Sequence, residues 1–166
     1  MELLEPPRVV DRPLRHSLGI RVITPFRGML GERNRLITEL AGWLDEHRVG
    51  EVGPFFLRLH VIDMQGPMDL AVGVITPGPL TGDDRVRPEP LPAGRYATLT
   101  YRNHALRANR ALIDWSREQG LAFDREDVAE GDRFGCRYEA YNTDPRTEPR
   151  KTRWEVDLNI RLADRA

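Results

Sequence analysis

The chain has 166 residues, of which 40% are hydrophobic and 31% charged, so it can bury a core and does not read as disordered. Lys and Arg number 25 against 26 Asp and Glu, a net charge of -1 with no basic block, which argues against a dedicated nucleic-acid binder. The single Cys136 has no intrachain partner, no apolar run approaches the roughly 20 residues that span a bilayer, and the start MELLEPPRVVDRP lacks a signal-peptide core, so a cytoplasmic protein is expected.

The first strand candidate begins near Val9 or Leu18, with residues 18–24 (LGIRVIT) the clearer segment. Residues 29–47 place Leu36, Ile37, Leu40, Trp43 and Leu44 on one helical stripe, with Gly50 as the stop. Strands are predicted at 55–62 (FFLRLHVI) and 69–75 (DLAVGVI), then at 95–101 (RYATLTY) after a stretch punctuated by proline and glycine. A second helix, 104–119, carries Ala105, Ala108, Leu112 and Trp115 on a stripe, with Asn103 as its cap and Gly120 at its end. Strands at 136–142 and 154–162 flank the exposed loop 143–152.

The order strand, helix, strand, strand thus occurs twice. Aligning FLRLHVID with GCRYEAYN makes Leu57, Leu59 and Val61 answer to Cys136, Tyr138 and Ala140. It also makes His60 answer to Glu139. The expected fold is α+β: tandem pseudo-symmetric β-α-β-β repeats in one curved antiparallel sheet, with two main helices on one face. One domain covers 1–166, with repeat one at about 8–75, a linker at about 76–92 and repeat two at about 93–163. On this alignment the helix-covered face holds Leu57, Leu59, Val61, Cys136, Tyr138 and Ala140. The opposite face, carrying Phe56, Arg58, His60, Arg137, Glu139 and Tyr141, is expected to line a pocket.

Common catalytic signatures are missing. His16, His47, His60 and His104 lack metal-ligand spacing, and no phosphate-binding loop, dinucleotide fingerprint or nucleophile elbow occurs. No metal and no cofactor is therefore expected. Cys136 reads as a small hydrophobe. Glu139 stands out, mid-strand between tyrosines in RYEAY. A carboxylate among aromatic walls can anchor a cationic ligand or, with a raised pKa, act as general acid or base. It can equally be a solvated partner of Arg58 or Arg137. Tyr141, Tyr101, Phe56 and His60 are the other ligand-contact candidates. Trp154 is a candidate wall, though its parity with Val156, Leu158 and Ile160 also fits core.

The segments GPFFLRLHVIDM (53–64), MDLAVGV (68–74), LPAGRYATL (91–99), LIDWSREQGLAFDRED (112–127) and YEAYNTDPRTEP (138–149) resemble the GyrI-like small-molecule-binding domain. That family includes effector-binding domains of AraC- and MerR-type multidrug regulators. The resemblance implies a central aromatic-lined cavity containing a glutamate, which falls on Glu139 with Tyr141 beside it. Ala71 stands where many relatives have an acidic or amide residue, and the loop at 101–109 is shorter and more polar than theirs. With no DNA-binding segment expected ahead of the first strand, the chain reads as a standalone bacterial member.

Two functions follow as expectations. One is a binder of amphipathic or cationic aromatic compounds that sequesters a drug or toxin. The other is a self-resistance hydrolase that opens the cyclopropane of an electrophilic natural product, with Glu139 and Tyr141 as its catalytic residues. A gyrase or other protein partner is a weaker third; neither direct nucleic-acid contact nor membrane insertion is expected.

Overall fold

Hydrophobic alternation and two helical stripes build an α+β fold, seen in a computed structural model that describes residues 1–165. In chain order the elements are β1 (Glu2–Arg12), β2 (Ser17–Pro25), α1 (Met29–Glu46), β3 (Phe55–Ile62), β4 (Pro67–Ile75), β5 (Arg87–Pro88), β6 (Gly94–Arg102), α2 (Ala105–Glu118), β7 (Arg125–Val128), β8 (Gly131–Phe134), β9 (Arg137–Tyr141), a 3-10 turn (Lys151–Arg153) and β10 (Glu155–Arg161). The antiparallel sheet runs β1-β6-β10-β9-β3-β4-β2-β5, with the β7–β8 hairpin attached to β3. The expected internal symmetry is visible in that path. One unit contributes β2-β4-β3, the other β6-β10-β9, and β3 pairs β9 where they meet.

Each helix covers the outer strands of its own unit, α1 over β2 and β4, α2 over β6 and β10. Leu36, Leu40 and Leu44 of α1 and Ala108 and Leu112 of α2 are fully buried against this face, which carries Leu18, Ile20, Leu57, Val72, Leu99 and Leu158. Their burial is the main apolar driving force of the fold. No helix is long and apolar enough to cross a membrane.

The register corrects the predicted faces. Phe55 pairs Tyr141 and Leu57 pairs Glu139 across the central strands, and opposite residues in an antiparallel pair share a face. Glu139, Tyr141 and Arg137 therefore lie with Leu57 on the helix-covered side. Cys136, Tyr138 and Ala140 lie on the other side with Phe56, Leu91 and Tyr96, in a second, smaller core. The repeat alignment was slipped by one residue in β9, and a one-residue slip reverses every side chain. Burial pushes the Cys136 thiol pKa up, in keeping with a packing role.

The second face is straddled by the two chain crossings, which join at the Arg15–Leu91 bridge. Beneath them Arg58, 9% exposed, donates Nη1 to Glu89 Oε1 at 3.4 Å and to the Pro90 carbonyl at 3.1 Å, and Nη2 to the Gly135 carbonyl at 2.9 Å. His60 Nε2 bonds the same Glu89 oxygen. The crossing is also stapled to α1. Asp83 accepts from the backbone of Val86 (2.8 Å), from Trp43 Nε1 (2.7 Å) and from the backbone of Arg85 (2.9 Å), and these bonds hold its carboxyl at about 2.

Both helix termini differ from expectation at one end. Asn103 does not cap α2; the N-cap is His104, in the left-handed region at φ 65, with no side-chain capping bond. Gly120 ends α2 at φ 70 as predicted, but α1 stops before Gly50, with Arg48 left-handed at φ 55 and the Val49 amide bonded to the Leu44 carbonyl. Arg48 occupies a position that favours glycine. Arg48→Gly is expected to stabilise the fold by about 0.5–1 kcal/mol, read as a rise of a few degrees in thermal midpoint.

Candidate functional site

Because each helix sits over its own outer strands, the space above the central strands is left open between them. It forms a cavity of about 800 Å³. Its floor comes from β9 and β10, with Glu139, Tyr141, Val156 and Leu158. Its walls come from the starts of α1 and α2, with Tyr101 of β6 and Trp154 closing one side. The two consecutive left-handed residues Asn103 and His104 turn the chain sharply out of β6 and bring the first turn of α2 to the rim.

The polar groups are few and close together. Arg33, 8% exposed, extends from α1 over the Tyr141 and Trp154 rings, its guanidinium carbon 5.3 and 5.2 Å from their centroids. Its Nη1 donates to the Tyr141 hydroxyl at 3.3 Å, while Nε and Nη2 donate to Asn34 Oδ1 at 3.1 and 2.9 Å. Arg137 projects from β9 beside Glu139, with Nη2 donating to Asn109 Oδ1 at 2.9 Å and its guanidinium over the Phe134 ring. Trp154 is fixed by donation of Nε1 to the Glu148 carbonyl at 2.8 Å.

Glu139 lies deep in the fold, and the surface it retains faces the cavity. Burial raises its pKa. The charges of Arg33 and Arg137 and the neighbouring Tyr141 hydroxyl offset that rise in part. Burial and the Glu139 charge raise Tyr101 and Tyr141 as well, so both stay neutral hydroxyls. The arrangement offers a carboxyl whose pKa burial raises, a phenol beside it and two guanidinium groups, within mainly apolar walls.

The structure brings Glu139, Tyr141, Tyr101 and Trp154 together in this cavity. It does not bring Phe56 or His60 there. The Phe56 ring packs on the other face over Gly73, where a side chain of any size would strike it, and meets Tyr138 edge-on at 6.0 Å. His60 is held by Glu89, also on that face. Ala71 sits buried in β4 and does not line the cavity. Arg33 and Asn109 were not among the predicted site residues. Their signal was a polar residue interrupting the buried side of each helix near its start, which stripe counting passes over. No cluster of potential metal ligands occurs among the described residues.

No protein-family model matches the sequence, and no curated protein matches it. Solved structures do. SAV2435 bound to tetraphenylphosphonium aligns with a TM-score of 0.63 at 9% identity, over 95% of this chain and 93% of that one. A hydrolase encoded by lin2189 from Listeria innocua aligns at 0.58 and 10% identity, over 97% and 93%. EcmrR in its DNA complex aligns at 0.68 and 13% identity over 98% of this chain, which spans 59% of the longer EcmrR chain. The EcmrR C-terminal domain alone aligns at 0.64 and 12% identity, over 98% of this chain and all of that one. At such identities the likeness is one of fold, and the chain is similar along nearly its whole length to the EcmrR C-terminal domain.

Proposed function

We propose that this is a GyrI-like small-molecule-binding protein that takes an amphipathic aromatic compound into the cavity between its helices and so sequesters it in the cytoplasm. The observation that carries the reading is a cavity of about 800 Å³ in which apolar and aromatic walls surround Glu139, Arg33 and Arg137. A ligand is held there by burial of its apolar body and oriented by the few polar groups. The tetraphenylphosphonium complex of SAV2435 supports the placement on grounds of shared fold.

The test is saturable binding of the neutral dye N-phenyl-1-naphthylamine, read by its fluorescence. Ala105, on the first turn of α2, lines the cavity, and Ala105→Trp puts an indole into the space. The variant is expected to bind at least about tenfold more weakly, a change of about 1.4 kcal/mol. Equal binding by the two proteins, or no saturable binding by wild type, would overturn the proposal.

A second reading is favoured by one observation, the raised pKa of Glu139 next to the Tyr141 hydroxyl. As general acid or base on a strained electrophile, Glu139 would direct the addition of water to a cyclopropane-bearing compound, with Tyr141 orienting it. Mass spectrometry would record the gain of water. Turnover that survives Glu139→Ala would reject this reading.

A further inference from the structure

We infer that the cavity selects ligands bearing an acid group, whose oxygens sit between the guanidinium groups of Arg33 and Arg137. The inference rests on the binding reading above and adds the charge of the ligand.

Several other arginines near buried surface are paired with carboxylates, as in Arg58 with Glu89, Arg102 with Glu155 and Arg161 with Asp124, while Arg12 donates to the neutral Asn159. Arg33 and Arg137 also lack a carboxylate partner, and they do so at the cavity. Among the described residues neither has a carboxylate within 4 Å, and their acceptors are the neutral oxygens of Asn34, Tyr141 and Asn109. Arg137 gives a single N–H to protein and lines the cavity. Burial lowers its pKa, the mark of a cation short of compensation.

The whole lining is unbalanced in the same sense. Arg27, Arg33, Arg137 and Lys151 face the cavity against the single carboxylate of Glu139. Both helices begin at its rim, and neither N-cap residue supplies a side-chain acceptor, so two positive helix ends add to the field. A ligand cation would need ring faces, and two of those at the floor and wall are already occupied. Arg33 covers Tyr141 and Trp154, and Lys151 Nζ lies 5.9 Å from the Trp154 centroid. An oxyanion meets the opposite situation: N–H groups of Arg137 left over from its single protein bond, and the second N–H on each terminal nitrogen of Arg33, within mainly apolar walls.

The experiment uses two dyes with one ring body, 8-anilinonaphthalene-1-sulfonate and its neutral parent N-phenyl-1-naphthylamine, with tetraphenylphosphonium as the cationic competitor. Wild type is expected to bind the sulfonate at least about tenfold more tightly than the neutral dye, with Ala105→Trp weakening both. Arg137→Gln should bring the ratio of the two affinities close to one. Glu139→Gln, which removes the opposing charge, should tighten the sulfonate about three- to tenfold. Equal affinities for the pair, or preferential binding of tetraphenylphosphonium, would overturn the acid preference while leaving the binding reading intact. Failure of every probe to bind would remove the binding reading itself. If Arg137→Gln does not fold, the wild-type ratio and the Glu139→Gln shift still decide.

Discussion

Glu89→Ala is expected to cost about 3–5 kcal/mol of stability, the range for removing one partner of a buried ion pair. Glu89 is 7% exposed and faces both Arg58 and His60 beneath the chain crossings. Its removal leaves the Arg58 guanidinium with two carbonyls and no counter-charge, and Arg58 Nε already lacks a partner in the intact protein. The effect has a sign in pH. Burial pushes the Glu89 pKa up, but the His60 hydrogen bond and the charges of His60, Arg58 and Arg21 outweigh it and hold the carboxyl below its ordinary 4.5. A lowered carboxylate pKa contributes stability above the unfolded value and loses it as pH falls through the folded value. Denaturant titrations of wild type and variant should therefore diverge most above pH 4.5 and converge in acid. A gap that stays constant down to pH 2 would show that packing, and not the ion pair, holds the crossing in place.

Strands and helices were legible in the sequence wherever a residue pattern had a single physical reading. The two helices were, because their leucines recur on one stripe, and so were the strands of both units, whose β-branched and aromatic runs are bounded by proline and glycine. β1 was read only from Val9 or later, because Pro6 and Pro7 interrupt its alternation. In the fold they sit on an edge strand where the register shifts between Glu5 and Arg8, and such a site tolerates a missing N–H. The β7–β8 hairpin, REDV and GDRF, is mostly charged, with no repeating apolar face to announce it. Its pairing with β3 comes from backbone bonding that composition does not report.

The faces of the central strands were harder. In RYEAY both alternating sets mix characters, Arg137, Glu139 and Tyr141 against Tyr138 and Ala140, so periodicity alone does not say which set faces the helices. The sheet has two buried faces, one under the helices and one under the crossings, and a strand buried on both sides loses the contrast that fixes parity. Phe56 and His60 do lie on the face away from the helices, with Arg58, as expected; it is Glu139, Tyr141 and Arg137 that lie on the other face, and the cavity with them. Tyr101 and Trp154 are less sensitive to the slip, because they sit on, or just before, strands whose inward residues are plainly aliphatic. Arg33 shows the other limit. From sequence a buried arginine on a helix looks like one more charge on a solvated face, and its place over two aromatic rings depends on a strand more than 100 residues away.

Replacing Glu139 with glutamine tests the cavity floor through stability, with no ligand present. The raised pKa means that the folded protein favours the protonated acid more than the unfolded chain does, because burial outweighs the nearby arginines. The sign then follows from linkage: the stability tied to the neutral acid is present below the ordinary value of 4.5 and is lost as pH rises through the folded value. Glutamine keeps the shape and does not titrate. The variant should match wild type in mild acid, gain on it as pH rises, and stay ahead at neutral pH by on the order of 1–3 kcal/mol, the cost of desolvating an incompletely compensated charged group. For a chain of this length that is a rise of roughly 2–4 °C per kcal/mol in thermal midpoint. A midpoint difference independent of pH, or one that favours wild type at neutral pH, would mean that Arg33 and Arg137 need Glu139 as a counter-ion. The acid-binding preference would then lose its physical basis, because the two guanidinium groups would already be satisfied.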